Sequence, residues 1–164
     1  NAGTVISVGS FDDGINGEFA LVRLDKAAPT KMAPIFLGDD KDLIGTSMMA
    51  FGLPADKRAP GVKQIVIDPS CKGVESSELG ISTTCIGAAG NSGGPIAGLV
   101  EVDKQGNRAW GIVGMTVEVN QTAASSTSNV TGQSSGNIQM LNLKEIHPII
   151  MADIKAELAK RPCQ

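Results

Sequence analysis

Ser92 lies in GAAGNSGGPI, residues 87–96, among glycines and shortly before a proline. A serine hydroxyl is a poor nucleophile at its own pKa and needs a general base within hydrogen-bond reach. Glycines around such a serine let the backbone turn tightly, so that N–H groups can meet the oxyanion of a tetrahedral intermediate. In GNSGGP the natural donors are the amides of Gly90 and Ser92. The competing reading is a Gly-rich surface turn with a bystander serine. Histidine is the usual base, and the chain has one, His147, which stands at the head of a helical stretch and reads as an ordinary helix-end residue.

GNSGG also fits G-x-S-x-G, the nucleophile elbow of a strand that leads straight into a helix. Here Gly93, Gly94 and Pro95 lead into PIAGLVEV, residues 95–102, which reads as a strand. The alternating helices of a parallel sheet are also missing, so the elbow is set aside.

The elements around the serine read as β. Residues 3–9 (GTVISVG) and 18–24 (EFALVRL) are strand-like, separated by the turn-rich FDDGING. KAAPTKMAPIF, residues 26–36, has two prolines and no period, as a connector would. GTSMMAFG (45–52) and VKQIVID (62–68) are further strand-like runs. PIAGLVEV and AWGIVGMTVEV (109–119) flank DKQGNR, a hairpin signal. Strands at short spacing with turns between them argue for a barrel or sandwich. Residues 120–137, rich in Ser, Thr, Asn and Gly, read as a long exposed loop whose sequons at Asn120 and Asn129 fit chance occurrence. HPIIMADIKAELAK (147–160) has helical spacing through Ile150, Ile154 and Leu158, with Pro148 suited to a first turn.

Composition narrows the function classes. The chain has 164 residues, 41% hydrophobic and 19% charged, with a net charge of −3 and no Lys/Arg cluster, which argues against a nucleic-acid partner. No apolar run approaches a membrane span. Gly 20 and Pro 8, without tyrosine, suit a turn-rich β protein. The cysteines Cys71, Cys85 and Cys163 form no CxxC pair, so a zinc site is a poor reading and no cofactor is implied. Cys71 and Cys85 are either a disulfide, worth about 3 kcal/mol and pointing to an oxidising compartment, or two buried thiols. The acidic run Asp39, Asp40, Asp42 lacks the spacing of an EF-hand loop and reads as a solvated cluster.

Taken in order, EFALVRL, GTSMMAFGLP, GNSGGPI, AWGIVGM and the C-terminal amphipathic helix resemble the chymotrypsin-like (trypsin-fold) serine proteases. The resemblance runs over nearly the whole chain, and GNSGGP is its specific motif. It implies an all-β double β-barrel with a C-terminal α-helix. Residues 1–24 would be the last strands of an incomplete first barrel, 25–44 the inter-barrel connector, 45–141 a complete second barrel, and 142–164 the helix and tail. It implies that Ser92 is the nucleophile, that the amides of Gly90 and Ser92 form the oxyanion hole, and that Met115, Thr116 and Val117 lie on the strand that pairs with an extended substrate. Glu18 stands where the family has its aspartate; Asp12 and Asp13 are lesser candidates. Ile86 stands where trypsin-type members carry a pocket carboxylate, and with Ala88 and Ala89 nearby it implies a small or apolar preference. Asn91 replaces the aspartate that captures a new N-terminal amine in trypsin-type members. The pattern is closer to bacterial glutamyl-endopeptidase-like and periplasmic members.

The family's histidine motif has no counterpart here. A companion N-terminal chain of the same precursor, bearing the base and a candidate disulfide partner for Cys163, is therefore expected, since two strands cannot form a barrel alone. A secreted or periplasmic serine endopeptidase is the resulting expectation. A catalytically inactive homologue that binds peptides is the alternative.

Overall fold

The computed structural model describes residues 2–9, 19–28, 33–53, 65–78, 80–87, 90–120 and 136–160. Ten elements run β1 (Gly3–Val8), β2 (Ala20–Leu24), α1 (Asp40–Leu43), β3 (Ser47–Gly52), β4 (Val66–Ser77), β5 (Gly80–Gly87), β6 (Pro95–Glu101), β7 (Arg108–Asn120), β8 (Gly136–Asn142) and α2 (Leu143–Ala159).

Six of the strands close into an antiparallel barrel in the order β3-β4-β5-β8-β7-β6. Each half is a run of consecutive antiparallel neighbours, and the β3–β6 and β5–β8 pairings join the halves. Alternation along the strands sends Met48 and Ala50, Ile81 and Cys85, and Ile138 and Met140 inward, where they meet Leu43, Cys71, Ile96, Val100 and Val113. Full burial of each Ile or Met stabilises the fold by about 1.5–3 kcal/mol relative to exposure. Cys71 and Cys85 form a disulfide across β4 and β5 inside this core, with an S–S distance of 2.07 Å.

Several elements differ from the sequence expectation. Of the strand expected over 62–68, only 66–68 belong to β4, which continues to Ser77; residues 62–64 lie outside the described residues. The connector contains the short helix α1, where the Asp39 amide donates to Asp42 Oδ2 at 3.1 Å. Asp40 accepts from the side chains of Asn142 and Ser76 and Asp39 pairs with Lys144, so all three members of the acidic run have structural partners. The C-terminal helix begins at Leu143 rather than near His147. Asn142 caps it by accepting from the Lys144 amide at 3.0 Å, and Pro148 lies inside the helix instead of in its first turn. Of the loop expected over 120–137, Asn120 and residues 136–137 belong to β7 and β8; the rest, with Asn129, lies outside the described residues.

β1 and β2 form a separate two-stranded antiparallel sheet. A second apolar cluster outside the barrel holds Phe19, Leu141 and Ile146, with Met115, Val117, Leu143 and Ile150 packed on it. It ties the chain just before β2 to α2 and to β7. Arg23 and Glu157 make an ion pair between β2 and the far end of α2.

Candidate active site

The turn that carries Ser92 runs from Gly90 to Gly94 and feeds directly into β6. Gly90 (φ 95°) and Gly93 (φ 79°) occupy the left-handed region that side chains disfavour. Gly94 serves a close approach, because an added Cβ would stand 2.1 Å from the carbonyl oxygen of Phe51. Asn91 is buried beneath the turn, and Gly52 leaves room for it, since a Cβ there would lie 2.5 Å from its Cγ. Among the described residues, Asn91 Oδ1 and Thr116 Oγ1 have no hydrogen-bond partner. Each such buried orphan costs about 1–3 kcal/mol.

β7 explains where the serine sits. Its ladder with β6 ends at the Pro95–Met115 pair. The turn then supplies two more bonds, Gly93 N–H to Thr116 O at 2.7 Å and Thr116 N–H to Gly94 O at 2.8 Å. Beyond Thr116, among the described residues, β7 is paired only on its other side, through Glu118–Gln139, Val119–Ile138 and Asn120–Asn137 with β8. Among the described residues, the edge from Val117 to Asn120 on the β6 side is thus open. Ser92 stands at its head, exposed, with Oγ donating to Val117 O at 3.2 Å. Among the described residues, no backbone carbonyl accepts from the amides of Gly90 or Ser92.

The structure brings Ser92, Gly90 and Val117 together. Met115 and Thr116 have their backbones engaged by Pro95, the turn and β8, and Thr116 is buried. Ile86 sits half-exposed on β5, its amide donating to Asp68 Oδ2 at 2.8 Å, and does not line the cleft beside the serine. Glu18, Asp12, Asp13, Ala88, Ala89 and Cys163 lie outside the described residues. The residue after Glu18, Phe19, is buried in the cluster against which Val117 packs. His147 is half-buried on α2.

One feature has no counterpart among the residues singled out in the sequence for substrate contact. A cleft of about 420 Å³ opens beside the turn, lined by Gly90–Pro95, Phe51, Gly52, Leu53 and Ile65. Neither an imidazole nor a carboxylate lines it among the described residues. The FGL segment was legible as part of a family-like strand, but nothing in the sequence marked Ile65 as its neighbour.

No family model matches the chain, and no curated protein or solved structure matches it. Among the described residues no helix is long and apolar enough to cross a membrane, and no group of three or more His, Cys, Asp or Glu could hold a metal ion.

Proposed function

We propose that the chain is the nucleophile-bearing part of a chymotrypsin-like serine endopeptidase. The closed antiparallel barrel is compatible with that fold. One observation carries the functional reading: Ser92 Oγ stands where β7 stops pairing with β6 and its open edge begins. A peptide added to Val117–Asn120 as an extra strand would be held through its main chain, with a carbonyl carbon beside the hydroxyl.

In this proposal Ser92 Oγ attacks that carbon and passes its proton to a base. The amides of Gly90 and Ser92 hold the oxyanion, a contribution of about 10²–10³ in rate for such a donor. The base returns the proton to the leaving amine, and water then releases the acyl group. Glu18 would orient the base, the role that the family resemblance implies for it. The imidazole would come from a companion segment whose strands complete a first barrel over β1 and β2. The exposure of Val5, Val8, Val22 and Leu24 on that sheet supports such cover. A buried disulfide suits a secreted or periplasmic setting.

The absence of an imidazole among the described lining residues favours a second reading, a peptide-binding module that uses the open edge without turnover. A fluorophosphonate probe separates the two. An adduct on Ser92 in the assembled protein, lost in Ser92→Ala, supports the protease. No adduct, with an extended peptide still shifting the Val117–Asn120 amide signals, assigns the binding module. Mass analysis under non-reducing conditions tests the companion: a stable, lone 16.9 kDa species counts against it.

A further inference from the structure

We infer that the cleft walled by Phe51, Leu53, Ile65 and Pro95 receives an apolar side chain from the leaving-group side of a bound peptide. This rests on the reading of Ser92 as the residue that meets the peptide carbonyl, and it adds the selectivity of that same site.

The direction follows from the two flanks of the turn. On one flank lies β7, whose open edge runs away from Ser92 toward Asn120. A peptide paired there has its acyl portion along that edge. The chain beyond the reacting carbonyl has to leave across the Gly90–Gly94 turn. On the other flank lies the cleft, which is lined by Ser92 and the turn but not by Met115, Thr116 or Val117. The first side chains past the scissile bond therefore meet Phe51, Leu53, Ile65 and Pro95.

The chemistry of the wall sets what it accepts. Its volume is in the range that takes a small organic group. Ile65 is 63% exposed, an apolar surface that a bound side chain would cover. With no charged residue among the described lining, an Asp, Glu or Lys side chain placed there would lose hydration without gaining a partner. Covering an apolar side chain of leucine size corresponds to roughly tenfold in affinity over glycine.

Tripeptide amides with free amino ends, Leu-Ala-Ala-amide, Gly-Ala-Ala-amide and Asp-Ala-Ala-amide, mimic the released product. Titrating each into the ¹⁵N-labelled full chain should move the amide signals of Phe51, Leu53 and Ile65. The leucine peptide should bind roughly tenfold more tightly than the other two. Ile65→Asp, at an exposed position, should abolish that preference, and Leu53→Asp provides a second variant. Equal affinities for the three peptides, or shifts confined to Val117–Asn120, overturn the assignment. Fluorophosphonate labelling of the unmodified assembled protein reads the nucleophile separately. Labelling with equal affinities removes the cleft's role alone; leucine-selective binding without labelling retains the apolar site and removes the protease reading.

Discussion

The barrel and the β1–β2 sheet are made of similar residues, alternating apolar and polar along antiparallel strands, yet they solve the burial problem differently. In the barrel Met48, Ile81, Ile96, Val113 and Met140 have no exposed surface, because every strand has a neighbour on each side. In β1–β2 the cross-strand pair Val5–Val22 is 56% and 46% exposed, and Leu24 opposite Gly3 is 47% exposed. A closed sheet supplies its own interior, whereas two strands have only faces. α2 and Arg23–Glu157 hold the small sheet against the rest without covering that apolar row.

The sharpest way to break this contrast is a truncation in each region. Met140→Ala should lower stability by about 2–5 kcal/mol in urea unfolding. Val22→Ala in the chain alone should stay within about 0.5 kcal/mol. Should a companion segment cover β1–β2, the same Val22→Ala would become costly in the assembly. A comparable loss for the two variants in the isolated chain would erase the distinction. The next largest effect concerns the barrel's covalent staple. Replacing Cys71 and Cys85 by serine should cost about 3 kcal/mol, read from the same unfolding curves. Hydrogen exchange gives a smaller but more local measure. Amides of β5 and β8 should exchange only near the global limit, and those of β1 and β2 at least tenfold faster in the isolated chain. Equal protection would mean that the small sheet is held as firmly as the barrel.

The smallest expected effect lies in the β6–β7 loop, which belongs to neither core. The Asn107 side chain donates to Asp103 Oδ2 at 2.7 Å, and the Asn107 and Gln105 amides donate to Oδ1. These bonds hold the Asp103 carboxyl below its usual range, the Asn107 side chain contributing most. A lowered folded-state pKa means the bonds stabilise the loop above the unfolded-state value of about 3.9. That stabilisation is lost as pH falls through the lower, folded-state value. NMR titration of Asp103 should give a midpoint below that of an ordinary aspartate; an ordinary or raised midpoint would contradict the bonding.

The contrast also explains what the sequence disclosed. β1, β2, β3, β6 and β7 were legible because apolar alternation and turn residues mark their ends. β5 was not named as a strand because the alternation includes a polar residue: Thr83 points inward with Ile81 and Cys85, its hydroxyl satisfied by Ile138 O at 2.9 Å. β8 was missed for the opposite reason. Ile138 to Asn142 are buried without interruption: Ile138 and Met140 belong to the barrel core, while Leu141 packs in the outer cluster with α2. No period of two survives such double cover. The start of α2 was hidden because its cap is an asparagine following a strand, and Pro148 is the more conspicuous signal. At the site, the glycines made the Ser92 turn visible because each answers a local need. The cleft stayed invisible because it joins Phe51, Ile65 and Pro95 across segments that meet only once the barrel closes.

The clip between the turn and β7 has a mechanical consequence. Gly93 and Gly94 each share a hydrogen bond with Thr116, the residue just before Val117. Ser92 and Val117 are therefore displaced together whenever β7 twists or breathes, with no hinge between them and a lever arm of a single residue. Movements of the wider barrel change where this pair points but leave its internal spacing the same, as a jig does for two parts clamped on one bar.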